Sequence, residues 1–185
     1  AGNRMNTFYL HKDPVIAAEM HCDKHAVKMP VESGQMLSTV HRYLDGKQTF
    51  RLSAKGKNMK HWAMEDSNKE AKLYKVAHLN HPSTIWTRQS SENYLWHYEL
   101  FKALLGEYTY RYGKVHKSAE LLDMLSILPK NIPEGKFTLP PQCMPDQYKC
   151  EDPVLAYRKY YIGEKSGFAK WKAREVPTWF RDAII

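Results

Sequence analysis

Apolar positions recur along most of this chain at helical spacing, and only its opening residues alternate. Met5 to Leu10 (Met-Asn-Thr-Phe-Tyr-Leu) has the two-residue period of a short strand or an extended lead-in. Asp13-Pro14 then offers an N-cap followed by a proline suited to a first helical turn. The stripe it opens runs through Ile16, Met20, Val27, Met36, Leu37 and Val40 and ends before Asp45-Gly46. Pro30 falls inside it, which predicts a kink or break near Val27 to Met29. Residues 45–60 hold little core potential and read as a basic, glycine-containing loop. A second helix is expected over about 62–77, and Ser83 or Thr84 can start a short one after Asn80-His81-Pro82. The clearest helix begins at Ser90 or Ser91, carries Tyr94, Leu95, Tyr98, Leu100, Phe101, Leu104 and Leu105, and stops at Gly113.

A further stripe through Leu121, Leu122, Leu125 and Leu128 follows Ser118. Five prolines between 129 and 146 then mark an irregular connector that packs across the surface. The last helix starts at Asp152-Pro153, with a second piece after Gly163. The pattern predicts an all-α fold: a single helical domain over 5–180 of about five to six helices, with a short N-terminal extended segment and a Pro-rich connector. Ala1-Gly2-Asn3-Arg4 precede a methionine at a plausible start and read as a cloning remnant.

Charge adds a partner to this picture. Lys and Arg number 28 against 20 Asp and Glu, a net +8, alongside 12 Tyr and 5 Trp. Cations that neutralise phosphates and flat rings that stack on bases point to a nucleic acid. Three cysteines without a CxxC pair argue against a disulfide framework or a four-thiolate zinc site, and fit reduced thiols in a cytoplasm. No apolar run approaches the roughly 18 residues of a membrane span.

Four constellations could carry chemistry. His21-Cys22-Asp23-Lys24-His25 with Lys28 and Glu32 puts His21, His25 and Lys28 on one helical face. His21 and His25 stand at metal-pair spacing, but Asp23 points about two-fifths of a turn away and the glutamate of a metalloprotease helix is missing. A site without metal or cofactor suits them better: His as proton shuttle, Asp23 or Glu32 as base, Lys24 and Lys28 as phosphate clamps or amine nucleophile. Asn80 and His81, with Arg88, sit at a helix start that can receive a phosphate. Arg111, Tyr112, His116 and Lys117 alternate rings with cations. Arg158, Tyr161, Lys165, Lys170, Trp171 and Trp179 make the C-terminal region the richest in both.

With these residues in view, the chain resembles a family of tailed phages and environmental bacteria. The resemblance rests on Met5-Asn6-Thr7-Phe8, His21-Cys22-Asp23-Lys24-His25, Asn80-His81-Pro82, the Tyr110–Ser118 run, Met144-Pro145-Asp146, Phe168-Ala169-Lys170-Trp171 and the closing Pro177-Thr178-Trp179-Phe180. It covers nearly all of 5–180 and departs at Pro30, where that family carries an aliphatic residue. More remotely, the layout is similar to the phage pyrimidine-dimer DNA glycosylases with abasic-lyase activity, of the endonuclease V type. That likeness implies attack on a sugar by an N-terminal α-amine, here of Met5 or Asn6, assisted by Glu32 or Asp23.

The expectation is therefore a phage-type DNA enzyme, a glycosylase/lyase acting on damaged or modified DNA. It would be a monomer on double-stranded DNA in the host cytoplasm, away from any membrane. The alternatives are a non-enzymatic nucleic-acid-binding protein and an enzyme acting on small nucleotides or sugars.

Overall fold

In the computed structural model, which describes residues 6–183, the first described residues lie inside the core. Residues 6–10 are all buried, yet they form neither strand nor helix. Asn6 instead folds its side chain back, its carbonyl oxygen accepting from the N–H groups of Thr7 and Phe8 at 2.8 and 3.2 Å. Its amide donates to the Cys143 carbonyl at 3.0 Å. Phe8 adopts φ of +42°, a conformation costing on the order of 1–3 kcal/mol that only dense surroundings sustain.

Asp13 caps α1 (Pro14–Met20) as expected, accepting from the Val15 and Ile16 N–H groups. The chain then breaks at His21 and Cys22, both extended, and α2 (Asp23–Asp45) begins. Pro30 lies within α2 and does not interrupt it, so the break predicted at Val27–Met29 falls instead at residues 21–22. A proline removes one helical hydrogen bond, and here Ala26, Met29 and Ser33 bury the turns on either side of it.

The segment read as a loop is an antiparallel hairpin, β1 (Lys47–Leu52) with β2 (Asn58–Ala63), in which Phe50 faces Lys60 and Gln48 faces Trp62. The all-α expectation is corrected accordingly: the protein is mostly helical, 53%, with one small sheet among the described residues. Alternation reveals a strand when one of its faces is buried. Here β1 is almost wholly exposed, so no alternation was there to read.

The helix expected over 62–77 contracts to α3 (Ser67–Lys72), capped by Asp66. The start of α4 (Pro82–Gln89) is capped by His81 rather than by Ser83 or Thr84. Ser90 caps α5 (Ser91–Tyr112), and Gly113 ends it at φ +68° with its N–H on the Thr109 carbonyl. A 3-10 turn (Lys117–Leu121) leads into α6 (Leu122–Leu125). Beyond the connector come α7 (Pro153–Tyr160), a π-helical turn (Tyr161–Lys165) and α8 (Thr178–Arg181). Among the described residues eight α-helices thus stand where five to six were expected, the surplus being short pieces.

Two hydrophobic clusters flank the long α2 and α5. One gathers Phe8, Tyr9, Leu10, Met29, Leu104, Tyr157, Tyr161, Trp171 and Phe180; the other gathers Leu37, Val40, Leu73, Tyr94, Phe101, Leu121 and Leu125. The Pro-rich connector is pinned across them, its Thr138 carbonyl accepting from the Trp86 indole at 2.9 Å and its Pro133 carbonyl from the Ser91 N–H at 2.8 Å.

Candidate functional site

The first turns of α2 meet the N-terminal segment and the π-helical turn around His25. Its ring stacks on Phe8 at 4.2 Å between centroids, and its Nδ1 hydrogen-bonds the Tyr161 hydroxyl. That hydroxyl also accepts from the Cys22 N–H at 3.2 Å, so Tyr161 is a fully buried strut between α2 and the C-terminal region. The burial that places His25 here pushes its imidazolium down to about 2, with the charges of His21, Lys165, Lys28 and Lys24 adding to it. His25 is therefore a neutral ring surrounded by ammonium groups.

Those ammonium groups are the site's main electrostatic feature. Lys24 Nζ stands 4.5 Å above Phe168, and Lys165 Nζ lies 4.9 Å from the Tyr160 ring and 6.0 Å from Phe8. Partial burial, then the nearby Lys28 charge, holds Lys165 below the usual lysine range. Lys165 belongs to the π-helical turn, and such turns concentrate at functional positions.

One carboxylate pairs with Lys28. Glu32 is 7% exposed; its Oε2 faces Lys28 Nζ at 3.4 Å, and its Oε1 is buried with no hydrogen-bond partner. Burial raises its carboxyl above the usual range in spite of the Lys28 charge. An acid that gains and loses its proton nearer neutrality, beside cations that hold anions, can transfer protons at a phosphorylated substrate. His21 adds a second unpaired atom. Its Nδ1 donates to the Ala17 carbonyl at 2.6 Å, leaving Nε2 buried without a partner.

The other predicted residues divide between structural work and open surface. Asp23 accepts from Arg111 at 3.0 Å and from the Lys172 N–H, while its own N–H donates to the Lys170 carbonyl. Arg111 is buried and also pairs with Glu107 at 3.6 Å, and Arg174 joins Glu107 and Glu19 to the same network. Asp23 and Arg111 thus clamp the C-terminal segment to α2, which removes Arg111 from a phosphate-binding role. His116 caps the 3-10 turn and reaches the Val27 carbonyl at 3.2 Å. Trp171 is buried and donates to the Met20 carbonyl, and Tyr161 is core; neither ring is free to stack on a base. Arg158 donates to the Leu10 carbonyl and lies over Trp179 at 5.3 Å. Asn6 is buried in the turn described above, and Met5 lies outside the described residues. Tyr112 is half-buried under Lys172, and His81 is a helix cap. Asn80, Lys117 and Lys170 are exposed, and Arg88 lies over the Tyr43 ring at 4.5 Å.

Sequence reasoning overlooked Phe8 at this site, because an apolar residue reads as core until its cationic neighbours are placed. It also overlooked a buried polar chain behind the site, in which His97 bridges Thr87 at 2.8 Å and Ser33 at 3.2 Å. No group of three or more His, Cys, Asp or Glu side chains among the described residues is arranged to hold a metal ion, and none of their helices is long and apolar enough to cross a membrane. No protein-family model, curated protein or solved structure matches the chain.

Four buried histidines share one pH dependence. Burial lowers His21 and His41 to about 4, His97 to about 3 and His25 to about 2. Unfolded, each titrates near 6.5. Their contribution to stability is complete above that value and is lost as pH falls, because only the unfolded chain takes up the protons. Each adds a slope of about 1.4 kcal/mol per pH unit until its folded value is reached. Urea denaturation followed from pH 7 to pH 4 is expected to show stability falling steeply below pH 6.5, with an uptake of several protons on unfolding. A flat profile would mean that these rings are already charged in the native protein.

Proposed function

We propose that this protein is a DNA-acting enzyme of the glycosylase/lyase type, working on modified or damaged DNA. The observation that carries the reading is Glu32: a buried carboxyl with one unpaired oxygen, raised above its usual range, within reach of Lys28. Glu32, rather than the ion-paired Asp23, has the character of a proton carrier.

The chemistry needs a neutral amine. Lys165, pushed down by burial and by Lys28, is the amine best prepared among the described residues. The N-terminal α-amine implied by the family resemblance is the other candidate. Attack on C1′ forms a C–N bond as the glycosidic bond breaks, and the departing base carries off one amine proton. Glu32, protonated, gives its proton to the ring oxygen as the sugar opens to an iminium. Its carboxylate then removes a C2′ proton, and the 3′-phosphate leaves. Lys24 and Lys28 hold the flanking phosphates, and Phe168 offers a ring to a displaced base.

Borohydride reduces such an iminium to a stable amine. Incubation with a duplex bearing an abasic site, or with ultraviolet-irradiated DNA, followed by borohydride and peptide mapping, is expected to yield a protein–DNA adduct on Lys165 or on the N-terminal residue. The absence of any adduct on both substrates refutes the lyase reading.

A further inference from the structure

The β1–β2 hairpin is a second surface, remote from Glu32, that the proposed chemistry does not use. We infer that it is a docking arm for duplex DNA, lying in a groove with its cations on the flanking phosphates. The inference takes its partner class from the function proposed above, but its observations are independent.

Residues 46–64 contain Lys47, Arg51, Lys55, Lys57 and Lys60 and no aspartate or glutamate. Apart from the partly shielded Arg51, these cations are exposed. Between them the hairpin leaves Phe50 60%, Leu52 70% and Met59 45% exposed. Neither feature helps a two-stranded ribbon to fold: like charges repel, and exposed apolar side chains gain nothing from water. Both suit a polyanion whose grooves also present the apolar methyl groups of thymine, and a groove of about 12 Å admits a two-stranded β-ribbon.

The arm is held rigidly at its root and tip. Arg42 donates to the Trp62 carbonyl at 2.8 Å, and His61 Nε2 bonds Glu70 at 2.8 Å. At the far end Ser53 gathers the turn, its Oγ accepting from the Lys57 N–H at 3.0 Å. The face bearing Phe50 and Trp62 continues onto Tyr43, 6.4 Å from Trp62, and thence to Arg88. Tyr43 and Lys28 share α2, fifteen residues apart, which is about 22 Å along the axis and about 60° around it. At about 3.4 Å per base pair, six to seven steps of one duplex span that distance.

The test is fluorescence anisotropy with a labelled, undamaged 20-base-pair duplex at several salt concentrations. It compares the wild type, a hairpin variant (K47Q/R51Q/K55Q/K57Q/K60Q), a second hairpin variant (F50A/L52A) and a site variant (K24Q/K28Q/K165Q), each checked for native circular dichroism. The hairpin glutamine variant is expected to bind at least about tenfold more weakly near 0.1 M salt. Its slope of log K against log salt should fall by about 2 to 4, at roughly 0.9 per lost phosphate contact. F50A/L52A should weaken binding with the slope kept. Wild-type affinity and slope in the hairpin glutamine variant overturn the arm whatever the site variant does, as does wild-type binding to phosphatidylserine vesicles but not to the duplex. Hairpin-dependent binding without any borohydride adduct supports the arm and defeats only the lyase chemistry.

Discussion

Replacing Arg42 with alanine is expected to destabilise the protein by about 3 kcal/mol or more, since each buried acceptor left without its donor costs about 1–3 kcal/mol. The residue is 1% exposed and spends every donor. Its Nε donates to the Tyr74 carbonyl at 2.9 Å, one terminal nitrogen to the Trp62 carbonyl and the Glu70 carboxylate at 2.8 and 2.6 Å, and the other to the Glu70 and Leu73 carbonyls at 3.0 and 2.8 Å. Three separate pieces of chain therefore end on one guanidinium: the hairpin, α3 and the segment after it. Burial works against the Glu70 carboxylate, but the Met64 N–H, Arg42 and His61 together hold it down at about 2. Without Arg42 the partly exposed carboxylate can turn to solvent, but the four carbonyls lose their shared donor. Arg42→Lys should recover only part of the loss, because an ammonium offers three donors without the planar fork. Urea unfolding of both variants measures this. A cost below about 1 kcal/mol for Arg42→Ala would show that the hairpin and α3 hold their positions independently of it.

Glu32→Gln is expected to leave the fold intact and to slow adduct formation by about 10²- to 10⁴-fold, the usual contribution of a positioned proton carrier. The buried oxygen without a partner explains the first half: an uncharged amide is cheaper to bury than a carboxylate, so stability should hold or rise. The proton inventory explains the second half, since the iminium cannot form or eliminate without a group that gives and then takes a proton. Single-turnover borohydride trapping reads the rate, and denaturation reads the stability. Asp23→Asn is the matched contrast. It should lower stability, because Asp23 accepts from Arg111 and from the Lys172 N–H, and slow trapping far less. Equal trapping by Glu32→Gln and wild type would remove Glu32 from the chemistry and leave the lysines as a binding surface.

Much of this was local and therefore readable. Asp13-Pro14, Asp152-Pro153, Ser90 and Gly113 mark helix ends by backbone rules that act over four residues, and they act as expected. The stripe from Tyr94 to Leu105 needed only periodicity. The hairpin escaped because a strand with no buried face leaves no alternation, and Pro30 misled because packing on both sides can outweigh one missing hydrogen bond. For the site, sequence alone determined its residue types and its first helix: His21 to Glu32 is a run whose spacing gathers histidines, lysines and carboxylates on neighbouring turns. Only the tertiary structure decided their roles. It brought Arg111 to Asp23 across 88 residues and Tyr161 to His25 across 136, neutralising one carboxylate, while burial left one oxygen of Glu32 without a partner. Charge pairing and desolvation depend on what lies across the fold, and the spacing of residues along one helix carries no record of that.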